Sequence, residues 1–285
     1  MFMPKKLVED KLKALLAEDV GQGDVTASAV IPSDFAVKAE VVAKENGVAA
    51  GIEEALTLAQ AVGLKAKAHV VEGEEVKNKQ VLITISGDAQ TILAIERTLL
   101  NLLSRMSGIA TQTAALRTKL KNAGMKTKIA ATRKSAPGLL YFDKKAVAIG
   151  GGDPHRLHLD DMILIKDNHL AILGGVETAV KKAKASASFT KKIEVEVTND
   201  ADALKAASAG ADIIMLDNFS PTQAKATVVK LRKAGFNNVL LEVSGGVISE
   251  NLLEFAKAEL DIISVGALTH SVKALDISLE IALPK

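Results

Sequence analysis

Residues 212–246 read DIIMLDNFSPTQAKATVVKLRKAGFNNVLLEVSGG. This stretch predicts an apolar strand over 212–216, an amphipathic helix over 221–234 and a second apolar strand over 239–243. Asp217 and Asn218 follow the first strand, and a Ser-Gly-Gly sequence follows the second. Nearly uninterrupted apolar strands that alternate with helices are typical of a parallel sheet covered by helices.

The same strand–helix unit recurs on both sides of this stretch. Further strands are predicted over 128–131, 162–165, 192–197 and 261–265, and further helices over 175–187, 200–209 and 249–257. This repetition predicts either an open doubly wound sheet or an α/β barrel. Nearly every strand ends in a polar residue or a glycine, and in a barrel the active site lies at that edge. We therefore favour a barrel with its active site at the carboxyl ends of the strands.

The N-terminal part of the chain has a different pattern. It predicts helices over 5–18 and 53–62, strands over 36–43, 65–71 and 81–86, and a long helix over about 89–123. These elements indicate a compact α+β region that precedes the barrel.

Composition restricts the class of protein. The 285 residues are 48% apolar, which is enough for a substantial core. The net charge is only +2, from 36 basic and 34 acidic residues, so we expect neither nucleic acid nor an anionic membrane as a partner. The chain has no cysteine, which excludes disulfides and a cysteine nucleophile. With a charged start and no long apolar run, these features predict a cytoplasmic protein.

A group of basic residues follows the predicted strands. Only six of the 36 basic residues are arginines, the side chain that binds carboxylates and phosphates with two parallel donors. The group suits a small molecule that bears more than one carboxylate or phosphate, and structural pairing with Asp160, Asp161 or Asp167 is the alternative. Its members are Arg133, Lys134, His155, Arg156 and Lys166.

Two carboxylates follow consecutive strands and predict a metal site. Glu196 and Asp217 are expected at equivalent places on their strands, as neighbours across the barrel mouth. Adjacent carboxylates without histidine or cysteine favour Mg²⁺, held partly through water. N-capping or ion pairs with nearby lysines is the alternative.

Glycine-containing turns after the last two strands predict a phosphate site. Backbone N–H groups just before a helix bind phosphate, and glycine lets the ligand approach closely. The residues concerned are Ser244, Gly245 and Gly246 after one strand, and Gly266 and Ala267 after the next.

Ordered motifs along the whole chain resemble the quinolinate phosphoribosyltransferase family. The most specific are Thr132-Arg133-Lys134 with Pro137-Gly138-Leu139, the Gly-Gly-Gly-Asp-Pro-His-Arg sequence at 150–156, and Lys166-Asp167-Asn168-His169. Glu96-Arg97, Glu194 to Val197, Leu216 to Phe219 and Gly266 to His270 extend the similarity in the same order. The chain departs from the usual pattern at Ser135 and Ala136, where threonines are common, at Leu140, where an arginine is, and at Pro154, where an asparagine is.

The resemblance implies a fold, an assembly and an activity. The fold is an N-terminal α/β sandwich domain over 1–108, completed by a tail at 273–285, and an incomplete, seven-stranded α/β barrel over 109–272. The assembly is a homodimer, with association into hexamers left open. The activity is conversion of quinolinate and phosphoribosyl pyrophosphate (PRPP) to nicotinate mononucleotide, pyrophosphate and CO₂ in NAD biosynthesis, with Mg²⁺ as cofactor.

The resemblance also implies a role for each matching residue. Lys134, Lys166, Glu196 and Asp217 would be catalytic, and the two carboxylates would also bind the metal. Arg97 would reach into the partner's active site. Quinolinate would bind Arg133, His155, Arg156 and Lys166, and phosphate would bind Ser244, Gly245, Gly246, Gly266, Ala267 and His270. Two alternatives stay open: a related pyrophosphorylase with another substrate, such as nicotinate, and a non-catalytic sensor of phosphate ligands.

Overall fold

The computed structural model describes residues 3–282, which form two compact units. The first comprises the chain up to residue 114 with 145–151 and the residues from 272 onward, and the second comprises 115–144 and 152–271. The domain bounds expected above stay a prediction, and residues 283–285 of the predicted tail lie outside the described part of the chain. Within that part, no helix is long and apolar enough to cross a membrane.

The first unit is built around an antiparallel sheet. Its strands are β1 (Ala36–Ala43), β3 (Lys65–Ala68), β5 (Val81–Asp88) and β12 (Ile277–Ala282), in the order β12-β1-β5-β3, and β2 (Gly47–Val48) pairs with β4 (Glu75–Val76). The helices that begin in this half of the chain are α1 (Lys5–Val20), α2 (Val25–Val30), α3 (Ile52–Ala61) and α4 (Ala89–Asn122). Val41, Leu82, Ile83 and Ile85 on the sheet are fully buried, so they form its core face.

The second unit contains a parallel sheet with the strand order β6-β11-β10-β9-β8-β7. The strands are β6 (Lys128–Ala130), β7 (Ile163–Ile165), β8 (Ile193–Val197), β9 (Ile213–Asp217), β10 (Leu240–Ser244) and β11 (Ile262–Ser264). The helices from here on are α5 (Leu140–Ile149), α6 (Asp167–Leu173), α7 (Val176–Ser186), α8 (Asp200–Ala209), α9 (Pro221–Lys233), α10 (Leu252–Ala256) and α11 (Ala267–His270).

The strand order selects a barrel over an open sheet. Consecutive strands are neighbours from β7 to β11, and β6 then pairs with β11, so the sheet curls back on itself instead of reversing at a switch point. A seventh strand position is reduced to one residue, Asp153, which forms a parallel bridge with Ala130. The α/β class and the incomplete barrel are therefore confirmed.

Local sequence explains why the barrel helices begin where they do. Asn199 caps α8 by accepting the N–H of Asp202, and Ser220 with Gln223 forms a capping box at the start of α9, with Pro221 in the first turn. These helices start at the predicted residues. α10 is shorter than predicted, and α11 is the helix expected at the Gly266-Ala267 turn. α2, α5 and α6 were not predicted as helices.

Candidate active site

A cavity of about 510 Å³ opens at the carboxyl ends of the barrel strands. Apolar strands place their backbone in the sheet and leave the residues that follow them at this edge, which is why the polar side chains converge. Of the predicted site residues, the lining includes Arg133, Lys134, His155, Arg156, Lys166, Glu196, Asp217, Ser244 and Gly245.

The basic residues come from three places in the chain. Arg133 and Lys134 follow β6, His155 and Arg156 lie between the Asp153 bridge and β7, and Lys166 follows β7. Burial, together with the positive charge of Arg133, lowers the pKa of Arg156. Concentrated positive charge of this kind prepares a cavity for a multiply charged anion.

Two of the expected structural partners of the basic group bind backbone N–H groups instead. Asp161 accepts the backbone N–H groups of Leu157 and His158, and Asp167 accepts that of Asn168. Among the residues that the structure describes, Asp160, Asp161 and Asp167 form no salt bridge with the basic group. Ion pairing with these three carboxylates therefore does not explain it.

Lys166 and Glu196 form an ion pair at the cavity, with Lys166 Nζ 2.7 Å from Glu196 Oε1. An ion pair with a nearby lysine was the alternative to metal binding for Glu196, and Lys166 is such a lysine. The side chain of Lys166 remains 46% exposed. Each of the two groups therefore keeps access to the cavity.

Asp217 lies two residues closer to the carboxyl-end edge of the barrel than Glu196 does. The register pairs Glu196 with Met215, so the expectation that the two carboxylates occupy equivalent places is wrong by two residues. Side chains two apart on a strand share a face, and both carboxylates line the cavity. Asn218 donates its side-chain N–H to Asp217 Oδ2 at 2.8 Å, which orients the carboxylate.

Gly245 has a steric reason to be glycine. Its φ is +93°, and a Cβ built there would lie 2.1 Å from Asn218 Oδ1. Any larger residue here would displace the Asn218 side chain and break its hydrogen bond to Asp217. The conformation of this turn therefore affects the orientation of the Asp217 carboxylate.

The remaining predicted phosphate residues are not part of the cavity lining. They are Gly246, Gly266, Ala267 and His270. Gly266 and His270 are nevertheless close to Thr132, because a Cβ on Gly266 would lie 3.1 Å from the His270 ring and 3.6 Å from Thr132 Oγ1. α11 is also joined to the loop after β6 by the Thr269 hydroxyl, which donates to the Lys134 carbonyl at 2.7 Å.

Arg97 belongs to the first unit, on α4. Its side chain is 65% exposed, and its Nη2 is 3.9 Å from Glu96 Oε1. It contributes nothing to the lining of the barrel cavity within one chain.

Lys144 is a buried cation that the sequence analysis missed. It is completely buried, and its ammonium donates to the carbonyls of Ala131, at 3.3 Å, and Pro154. Burial lowers its pKa to about 8, and the nearby arginines act in the same direction. It joins the two loops that carry Arg133 and His155. The only sequence signal was a charged triplet, Asp143-Lys144-Lys145, within an apolar segment.

Glu194 and Glu242 were also missed as site residues. Both are completely buried inside the barrel, and Oε2 of each lies 3.3 Å from Nε2 of His155. The sequence signal was a carboxylate within each of two otherwise apolar strands, β8 and β10.

Comparison with protein families identifies both halves of the chain. Residues 24–107 match the quinolinate phosphoribosyl transferase N-terminal domain, and residues 109–280 match the C-terminal domain of the same family.

Individual proteins are similar along nearly the whole chain. A "probable nicotinate-nucleotide pyrophosphorylase (carboxylating)" of Methanocaldococcus jannaschii is 46% identical over 274 residues, which is 95% of either chain. A protein of the same name from Methanothermobacter thermautotrophicus is 43% identical over 95% of this chain and 98% of that protein. The solved nicotinate-nucleotide pyrophosphorylase of Francisella tularensis superposes with a TM-score of 0.89 at 36% identity and covers 98% of either chain.

Proposed function

The chain belongs to the quinolinate phosphoribosyl transferase family, and we propose that it converts quinolinate and PRPP to nicotinate mononucleotide, pyrophosphate and CO₂. The observation that supports this most directly is the cavity at the barrel edge, where five basic side chains converge with the carboxylates of Glu196 and Asp217. A quinolinate dianion must lie beside the highly charged PRPP. Fixed cations in a partly enclosed cavity stabilise such an assembly better than water does.

The basic group would bind and orient quinolinate. Arg133, Arg156 and His155 would hold its carboxylates and direct the ring nitrogen at C1 of the ribose. Displacement of pyrophosphate there passes through an oxocarbenium-like state and forms the new N–C bond. Lys134 and Lys166 would hold the 2-carboxylate until it leaves as CO₂, and the ring carbon then takes a proton.

Glu196 and Asp217 would hold Mg²⁺ together with the pyrophosphate of PRPP. The donor set fits, because both carboxylates face the cavity and Mg²⁺ prefers oxygen ligands. The bound ion would neutralise charge on the leaving pyrophosphate. When substrate arrives, Lys166 can exchange Glu196 for a substrate carboxylate, which frees an oxygen of Glu196.

We further propose that the protein acts in the cytoplasm as a homodimer in which Arg97 of each copy completes the partner's site. Support for this comes from the family resemblance and from the exposure of Arg97. Arg97→Ala should then lose activity without loss of stability, and mixing it with a Lys134→Ala variant should restore part of the activity.

Mass-spectrometric product analysis tests the activity. Purified protein is incubated with PRPP, Mg²⁺ and either quinolinate or nicotinate, and Lys134→Ala and Glu196→Ala are compared with Lys205→Ala, an exposed lysine on α8. We expect nicotinate mononucleotide from quinolinate only, with both site variants inactive and the control active. Product from nicotinate would instead indicate a related pyrophosphorylase. Binding of PRPP without any product would indicate a sensor.

A further inference from the structure

Two glutamates occupy the interior of the barrel at the base of the cavity, and one of them, Glu242, is part of the cavity lining. Barrel interiors are ordinarily filled by branched apolar side chains. Here Glu194 on β8 and Glu242 on β10 point inward and are completely buried. Two buried negative charges destabilise a fold unless something compensates for them, so their position calls for a functional reason.

His155 is the group that both glutamates contact. Its Nε2 lies 3.3 Å from Oε2 of Glu194 and 3.3 Å from Oε2 of Glu242, and its own side chain is 12% exposed. At 3.3 Å neither contact is a well-aligned hydrogen bond, but each carboxylate is close enough to attract both the ring N–H and its positive charge. The His155 backbone N–H is bound separately, by Asp153 Oδ1 at 2.8 Å.

The glutamates are otherwise poorly satisfied. Glu242 Oε1 accepts the hydroxyl of Ser264, but Glu242 Oε2 and both oxygens of Glu194 have no hydrogen-bond partner among the described residues. Burial by itself lowers the pKa of His155, yet the two carboxylates outweigh burial and raise it to about 10. Burial also raises the pKa of Glu194, and the imidazole that lies between the two carboxylates is the group best placed to hold the proton of the cluster.

We propose that Glu194 and Glu242 are positioning residues that hold His155 from below as a fixed imidazolium at the floor of the cavity, where it binds one carboxylate of the dicarboxylate substrate. This inference rests on the proposed function for the identity of the substrate. The charge state of His155 is independent of it. In a neutral histidine one ring nitrogen donates a hydrogen bond and the other accepts one. An imidazolium donates from both nitrogens, so the ring that the carboxylates hold on one side can only donate to a ligand on the other.

The same three residues have the right types to hold a divalent metal instead. Their ligand atoms all lie within 4.8 Å of one another. In that case the ring would be neutral and bound to the metal, so the two possibilities differ in both metal content and histidine protonation.

Nitrogen NMR of histidine in the unliganded protein decides between them. The chain has five histidines, and the His155→Asn variant assigns the signal of interest. We expect the His155 ring to be an imidazolium at pH 8.5 in the wild type and mostly neutral in Glu194→Gln and Glu242→Gln. Glu280→Gln, on an exposed strand residue, is the matched control and should leave the signal unchanged.

Kinetics provide the second readout. For both glutamine variants we expect the KM for quinolinate to rise at least tenfold, with the KM for PRPP changed less than twofold. A neutral His155 in the wild type, an imidazolium that survives in both variants, or a metal ion that the wild type binds and the Glu194→Gln and Glu242→Gln variants lose would each overturn the proposal. If the wild-type NMR result holds while quinolinate is not a substrate, the proposed function fails and the imidazolium stands.

Discussion

The two units each gather carboxylates around one buried or nearly buried cation, and the clusters differ in how well their buried oxygens are hydrogen-bonded. The sandwich cluster consists of Glu53, Glu54, Glu72 and Lys145, and the barrel cluster of Glu194, Glu242 and His155. Lys145 Nζ lies 2.6 Å from Glu53, 2.8 Å from Glu54 and 3.9 Å from Glu72. Glu72 also accepts the backbone N–H groups of Gly51 and Glu53.

This difference indicates which cluster of charges stabilises the fold and which one serves ligand binding. In the sandwich cluster a flexible lysine reaches every carboxylate, and among its buried carboxylate oxygens in the described structure only Glu54 Oε2 lacks a hydrogen bond. In the barrel cluster a rigid ring reaches only Oε2 of each glutamate, and three carboxylate oxygens lack a well-aligned hydrogen bond in the described structure. We infer that the sandwich cluster stabilises the fold, whereas the barrel cluster maintains a charge for ligand binding at some cost in stability.

The largest expected effect is on the sandwich cluster. Lys145→Met should lower the free energy of unfolding by about 3–5 kcal/mol, because it leaves buried carboxylates without a cation. Lys181→Met, an exposed lysine paired to Glu177, is the control and should change nothing measurable. Urea unfolding midpoints measure both. Equal midpoints for the two variants would show that Lys145 is not structural.

Replacement of Lys166, which pairs with Glu196 at the cavity, should reduce activity with little loss of stability, the opposite of replacing Lys145. Lys166 contacts Glu196 at 2.7 Å but is 46% exposed, against 7% for Lys145. Lys166→Ala should therefore reduce kcat by roughly 10²–10³-fold, as loss of one charge-stabilising donor does, with little change in the unfolding midpoint. Steady-state kinetics and urea unfolding on the same sample check this. Unchanged kcat would remove Lys166 from the catalytic group.

The pH dependence of stability should reveal the barrel cluster. His155 keeps its proton to about pH 10 when folded, against an ordinary pKa of 6.5, so stability should fall as pH rises above 6.5, by up to about 1.4 kcal/mol per pH unit. Lys144, with its pKa lowered to about 8, loses its proton more easily when folded. It therefore opposes this trend from about pH 8 upward.

Two variants separate these contributions in urea unfolding at pH 6.5 to 9.5. His155→Asn should weaken the decline below pH 8, and Lys144→Met should steepen it above pH 8. Stability of the wild type that rises between pH 6.5 and 8 would contradict a charged His155.

The smallest expected effect distinguishes the two glutamates that share Lys145. Glu54 is 2% exposed and Glu53 is 62% exposed. Glu54→Gln should destabilise the protein by about 1–3 kcal/mol, since it alters a buried charged contact, and Glu53→Gln by less than about 1 kcal/mol, as for exposed pairs. The reverse order would mean that burial does not set the strength of these ion pairs.

Much of the barrel was predictable, because its strands and helices carry local signals. The six strands were recognisable as short apolar runs, and the helices between them from their amphipathic pattern. Caps at Asn199 and Ser220 fix where two of these helices begin. Helix α5 was missed because it is buried on nearly every side. Phe142, Ala146 and Val147 are buried in it together with Asp143, Lys144 and Lys145, so it shows no amphipathic period.

The carboxylate register shows a second limit. The places of Glu196 and Asp217 were judged from where their strands end, whereas hydrogen-bonded pairing places Met215 beside Glu196. Because neighbouring strands in a barrel are staggered, strand ends do not give the register.

Sequence alone determined the alternation of strands and helices, the edge at which the chemistry collects and the types of side chain that follow each strand, because these depend on local patterns. Only the tertiary structure decided which charges meet. Lys144 and Lys145 are adjacent, yet burial lowers the pKa of the first to about 8 while carboxylates about 91 residues away raise that of the second. Charges interact through a few ångströms of space, and no spacing along the chain specifies that distance.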